Sequence, residues 1–259
     1  MGNLFKAGRI FYGIAIGEIG LQAIYYQNFP YIIPLSKEAG TSGTLILAII
    51  FGALFTLAGI CVVFEKKTSQ VSLLFGSVLL LIFCFYYIPY EFLASTNYMH
   101  FGDWENAAKE LALAGGAFVI AGCFSEKNEN SFTGFLGKLI PYGTLVFAIT
   151  ILSFGIDHFL YAKEAAGYVP SWIPDHIFWI YFAGVALFGS GIAIILNIKR
   201  GLAAVLLGTM IFTWFISLHI PKVIAAAAAD RGGEITSAFL ALGYSGIAFV
   251  IAGAAKKTV

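Results

Sequence analysis

His158 and His219 are the side chains of this chain best suited to chemistry, and Asp157 stands directly before the first of them. An imidazole beside a carboxylate can take the proton of a bound hydroxyl, such as a quinol carries, or join a metal ligand set. A second pair, Asp175 and His176, follows a turn-rich stretch holding Gly167, Pro170 and Pro174. Trp179, Trp214, Phe178 and Tyr181 offer ring faces for a flat ligand. We therefore expect His158, His219 and Asp157 to handle protons, and His176, Trp179 and Trp214 to contact a ligand. Structural roles compete for the same residues. Asp175 can cap a helix N-terminus, and tryptophan favours the boundary between lipid and water.

Glu18 is a deeper candidate. It lies inside the apolar run GIAIGEIGLQ, with Gln22 one turn further along the same face. An ionisable group at that depth is costly in lipid, which makes Glu18 a candidate proton-handling group and Gln22 a candidate ligand contact. The competing role for both is a hydrogen bond between helices. A third polar stretch, HFGDWENAAKE at 100 to 110, offers Asp103 as an N-cap and Lys109 as a partner for Glu105 four residues earlier.

Zinc or iron sites want three or four ligands, and no HExxH or CxxC pattern supplies them, so no metal ligand is assigned. Two histidines at one depth also suit a haem, but neither haem nor metal is the expectation. The cofactor stays open, with a quinone as the candidate. Cys61, Cys84 and Cys123 sit in apolar runs and read as small core residues rather than a disulfide or thiol centre.

The elements that must position these residues are membrane helices. Of 259 residues, 59% are hydrophobic and 11% charged, far below the charge of a soluble domain. Eight apolar runs lie near 10 to 28, 42 to 64, 70 to 90, 107 to 124, 139 to 160, 177 to 197, 201 to 224 and 234 to 254. Each is long enough to cross a bilayer. With the N-terminus inside, cytoplasmic segments hold ten Lys and Arg and outer segments five, which places both termini in the cytoplasm. The net charge of +1 gives no footprint for nucleic acid.

The runs fall into two sets of four. GGAFVIAG at 115 to 122 recurs as SGIAFVIAG at 245 to 253, Ile88-Pro89 and Ile220-Pro221 close the third and seventh runs, and PYIIP at 30 to 34 is matched by PSWIP at 170 to 174. The expected architecture is an all-α membrane protein with eight transmembrane helices in two parallel four-helix repeats. The first repeat spans 1–125, a cytoplasmic linker 126–138 and the second repeat 139–259. All four histidines then fall on the outer side, with His158, His176 and His219 at one rim of the second repeat. Glycine pairs such as Gly184 with Gly189, and Gly115-Gly116 with Gly122, suit close helix contact.

The stretch FGDWENAAKELALAGGAFVIAG at 101 to 122 resembles the last-helix signature of DoxX-like membrane proteins, which are four-helix units. The first repeat resembles one such unit and the second a diverged copy that has Glu234-Ile-Thr-Ser-Ala-Phe-Leu-Ala-Leu in place of the Lys-Glu-Leu core. The resemblance implies a multi-pass protein of the cell membrane, in a bacterium the inner membrane. It also implies a link to quinone, since the family takes its name from a subunit of a thiosulfate-oxidising, quinone-reducing complex. The expected function is a quinone-linked redox or lipophilic-ligand-binding component with a site near the extracytoplasmic rim. The alternatives are a non-enzymatic subunit or assembly factor packed against other membrane subunits, and, ranked last, a small-molecule transporter. The lipid bilayer is the partner in every case.

Overall fold

The computed structural model describes residues 2–33, 42–95, 104–124 and 131–255. His100, Asp103 and the first five residues of the 126–138 linker lie outside the described residues, and the rest of that linker is helical. Helix accounts for all the regular structure among the described residues. Eight long helices appear: α1 (Asn3–Tyr26), α2 (Ser42–Val63), α3 (Thr68–Leu93), α4 (Glu105–Gly122), α5 (Phe132–Leu160), α6 (His176–Ile195), α7 (Arg200–Ala225) and α8 (Arg231–Ala255). Six of them, α2, α3, α5, α6, α7 and α8, are long and apolar enough to cross a membrane, which marks the chain as a multi-pass membrane protein. The other two each carry three charged residues. Lys6, Arg9 and Glu18 lie in α1, and Glu105, Lys109 and Glu110 in α4.

Neighbours in sequence are neighbours in space, and α8 returns to pack on α1, so the eight helices close a ring. α4 and α8 also touch across its middle. Burial follows from that placement. In α8, 78% of the apolar window is buried, against 28% in α7, so α8 is a central helix. Small residues allow the close approach. A Cβ on Gly8 of α1 would lie 2.5 Å from the Gly246 carbonyl oxygen of α8, and one on Gly20 would lie 2.5 Å from the Gly52 carbonyl of α2. The same kinds of contact appear further along, where Gly143 of α5 meets Gly115 of α4 and Gly155 meets Gly184 of α6. Of the expected glycine pairs, Gly189 has nothing within 4 Å.

The two Ile-Pro steps do not end their helices. α3 runs on to Leu93 and α7 to Ala225, each through a π-turn, Phe83–Tyr87 and Phe215–His219. In each turn the amide after it reaches back five residues, from Ile88 to Phe83 and from Ile220 to Phe215. A proline inside an α-helix loses one bond and clashes with the carbonyl four residues back, and one extra residue in the preceding turn relieves both. Cys84 is exposed in the first π-turn, not a core residue, while Cys61 and Cys123 are half-buried.

Asp175 does not cap α6. It adopts φ 53°, and its side chain makes no capping bond. The turn before it is held by the Ile173 amide donating to the Pro170 carbonyl at 2.9 Å, as Ile33 donates to Pro30 at 2.8 Å after α1. Trp172 of that turn is 68% exposed, as a ring at a membrane boundary would be.

A candidate ligand cavity at one end of the helices

The end of α5, the start of α6, the end of α7 and the start of α8 surround a cavity of about 970 Å³. Its depth follows from α6, which contributes Trp179 near the mouth and Leu187 at the floor. Eight residues of helix correspond to roughly 12 Å. The floor is apolar, with Ile151, Leu187, Met210 and Ile211. Above it come Asp157, His158, His219 and Trp214, and the mouth carries Lys109, Lys222, Glu105 and Glu234.

Five of the eight residues expected from sequence therefore meet in one place: His158, His219, Asp157, Trp179 and Trp214. His176 does not line the cavity, although it opens α6. Gln22 is a helix-packing group. Its amide donates to the Gly232 carbonyl at 2.5 Å and accepts from the Thr236 hydroxyl at 2.7 Å, tying α1 to α8. Glu18 also lies outside the cavity lining, and its Oε2 is buried without a hydrogen-bond partner.

The expected coupling between Asp157 and His158 takes another form. His158 Nδ1 donates to the Phe154 carbonyl at 2.7 Å. A carbonyl cannot donate, so the proton sits on Nδ1 and the neutral ring keeps its Nε2 lone pair. The backbone, not Asp157, sets this tautomer. The ring is thus oriented as a proton acceptor.

Three other polar atoms of the lining are buried without a partner: Asp157 Oδ1, His219 Nδ1 and the Trp214 indole nitrogen Nε1. Each such atom costs about 1–3 kcal/mol when left unpaired, so three around one cavity is a heavy charge on the fold. Together they offer what a hydroxylated ligand needs. The indole N–H donates only, the carboxylate accepts, and the imidazole can do either.

At the mouth, Lys109 pairs with Glu105 at 2.9 Å, as the four-residue spacing implies, and stands 5.0 Å from the Tyr31 ring centroid. Lys222 lies 3.9 Å from the Tyr168 centroid and 3.7 Å from Glu234. Both ammonium groups are thus held over rings at the rim. Among the described residues no group of three or more His, Cys, Asp or Glu side chains is placed to hold a metal ion.

Lys109, Glu105 and Tyr31 belong to the first half of the chain, and sequence reasoning did not assign them to this site. Lys109 and Glu105 reach it because α4 packs on α5, and Tyr31 because the turn after α1 meets α8, where its hydroxyl lies 3.0 Å from that of Ser237. Tyr244 of α8 was also missed; its hydroxyl donates to the Lys109 carbonyl at 3.0 Å, and its ring lies 5.9 Å from that of Phe154. One signal was available. Phe51 precedes Gly52, which meets Gly20, and Ala183 precedes Gly184, which meets Gly155. Around the first position Phe51, Phe55 and Phe29 stack into the core, whereas Ala183 and Leu187 leave space.

Comparison with family models, with curated proteins and with solved structures yields no match for this chain.

Proposed function

We propose that this is a membrane protein of the DoxX-like kind, built as two like-oriented four-helix units with eight spans and both termini in the cytoplasm, that binds a lipophilic hydroxylated molecule such as a quinol. The doubling is supported by the recurring glycine contacts, by the paired π-turns before Ile-Pro, and by left-handed residues at Glu65 and Lys67 and again at Asn197 and Lys199. The DoxX-like assignment rests on the 101 to 122 stretch alone. The bacterial inner membrane is the location that goes with it.

The ligand reading rests on one observation: Asp157 Oδ1, His219 Nδ1 and Trp214 Nε1 are buried and unpartnered around a single cavity. A ring hydroxyl donates to Asp157 or to His158 Nε2 and accepts from the Trp214 indole. Asp157, His158 and His219 are placed to hold the hydroxyl protons of such a molecule. The test is extraction of the protein purified in mild detergent. A quinone or quinol should accompany the natural chain and be lost from His219→Ala. An empty natural chain, or equal amounts in both, refutes the reading.

A further inference from the structure

The walls of the cavity are not sealed evenly. Glycines bring α5 so close to α6 that an added Cβ on Gly155 or Gly191 would meet backbone or β-carbon atoms within about 3 Å, and on α7 a Cβ at Gly208 would lie 2.7 Å from the Phe249 ring and 3.2 Å from the Ser245 carbonyl of α8. Among the described residues, no glycine of α6 or α7 has a near neighbour on the other of these two helices. That seam is closed by side chains instead. Trp179 of α6 meets Trp214 of α7 edge to face, with 6.0 Å between centroids and 80° between planes.

Both indoles belong to a small apolar cluster with Ala162, Val169, Ile173 and Ile180, separate from the main core. The segment between α5 and α6 therefore rests on the same two rings that close the seam. The matching turn after α1 differs, because Phe29, Ile32 and Ile33 are part of the main core and Tyr87 donates to the Ile32 carbonyl at 2.5 Å. Outside the seam the helices present exposed apolar residues, Phe178 and Phe182 on α6 and Ile216 and Ile224 on α7. The water-facing mouth, in contrast, is ringed by charge.

We propose that the cavity is loaded from the lipid through the seam between α6 and α7, that Trp179 and Trp214 part to admit the ligand, and that the ligand is an amphiphile whose hydroxylated ring lies among Asp157, His158 and His219 while its apolar chain follows the seam. This inference rests on the ligand-binding reading above. A cavity of 970 Å³ stands at the upper end of the range for small-molecule sites, which leaves room for a chain beside a ring. An apolar molecule dissolved in the bilayer meets only the indoles on this route. From water it must first pass two lysines and their carboxylates.

The test uses the full chain in lipid vesicles with Cys61, Cys84 and Cys123 changed to Ala and with Phe178→Cys and Ile216→Cys, which lie outside the cavity lining and leave both indoles in place. Two photoreactive probes are compared, an azido-hydroquinone with a decyl chain and the same ring without a chain, and their incorporation is timed before and after a cleavable bifunctional maleimide bridges the two cysteines. Bridging should slow labelling by the decyl probe about tenfold, reversibly on cleavage, while the chainless ring keeps its rate. Unchanged labelling by the decyl probe, or equal slowing of both, overturns the lipid route while leaving the site intact. If neither probe labels the natural chain at the cavity, the ligand reading fails and this inference with it.

Discussion

At the scale of single residues, the distinction that matters is between polar groups whose bonds are satisfied and those whose bonds are not. Gln22 and Asp157 look alike in sequence, one polar group on an apolar helix, yet Gln22 has two partners on α8 and Asp157 Oδ1 has none. Gln22→Leu should therefore cost stability, about 1 kcal/mol, because it removes both bonds between α1 and α8 and leaves the Thr236 hydroxyl only the Gly232 carbonyl of its own helix, 3.1 Å away. Thermal unfolding in detergent reads this, and binding of a ligand should not change. No sequence feature separates the two cases. Which polar atom finds a partner depends on the helix that faces it, and α8 lies more than two hundred residues away from Gln22 along the chain.

Among the helices, packing decides which glycines matter and where the histidines point. Gly20→Ala places a methyl against the Gly52 carbonyl and should destabilise by about 1–3 kcal/mol, whereas Gly189→Ala enters open space within a helix and should stabilise by up to about 1 kcal/mol. Thermal unfolding of the two variants in the same detergent tests the contrast. The π-turn before Pro221 inserts an extra residue and turns the end of α7, on which His219 sits. Pro221→Ala lets that turn relax to α-helix, rotating the ring by roughly 100°. Ligand affinity should fall about tenfold with stability unchanged, as measured by equilibrium binding beside thermal unfolding. The helices themselves were legible from hydropathy to within about three residues at most ends, but α1 and α5 each begin seven residues before their apolar runs. The Ile-Pro ends were less legible, since that step reads as a stop and a π-turn lets the helix pass through it.

For the whole molecule, the two halves meet at the cavity twice, α4 against α5 and the turn after α1 against α8, which is why its mouth includes Lys109 and Tyr31 from the first half. The gathering of His158, His219 and Asp157 was legible because helix ends at one depth converge, while the contribution of α4 was not, because it depends on which helices are neighbours. The central claim is that this space holds a lipophilic, hydroxylated ligand, and volume at position 183 controls it most directly. Phenylalanine is already accommodated at Phe51, beside the glycine that α1 meets, so Ala183→Phe should narrow the cavity between its floor and the polar groups without unfolding the bundle. The decisive measurement is equilibrium binding of decyl-hydroquinone to the full chain in lipid nanodiscs, for the natural sequence, His219→Ala and Ala183→Phe. Saturable binding to the natural chain, weaker by about tenfold in His219→Ala and abolished in a folded Ala183→Phe, is the predicted result. Equal binding by all three, or no saturable binding to the natural chain, contradicts it.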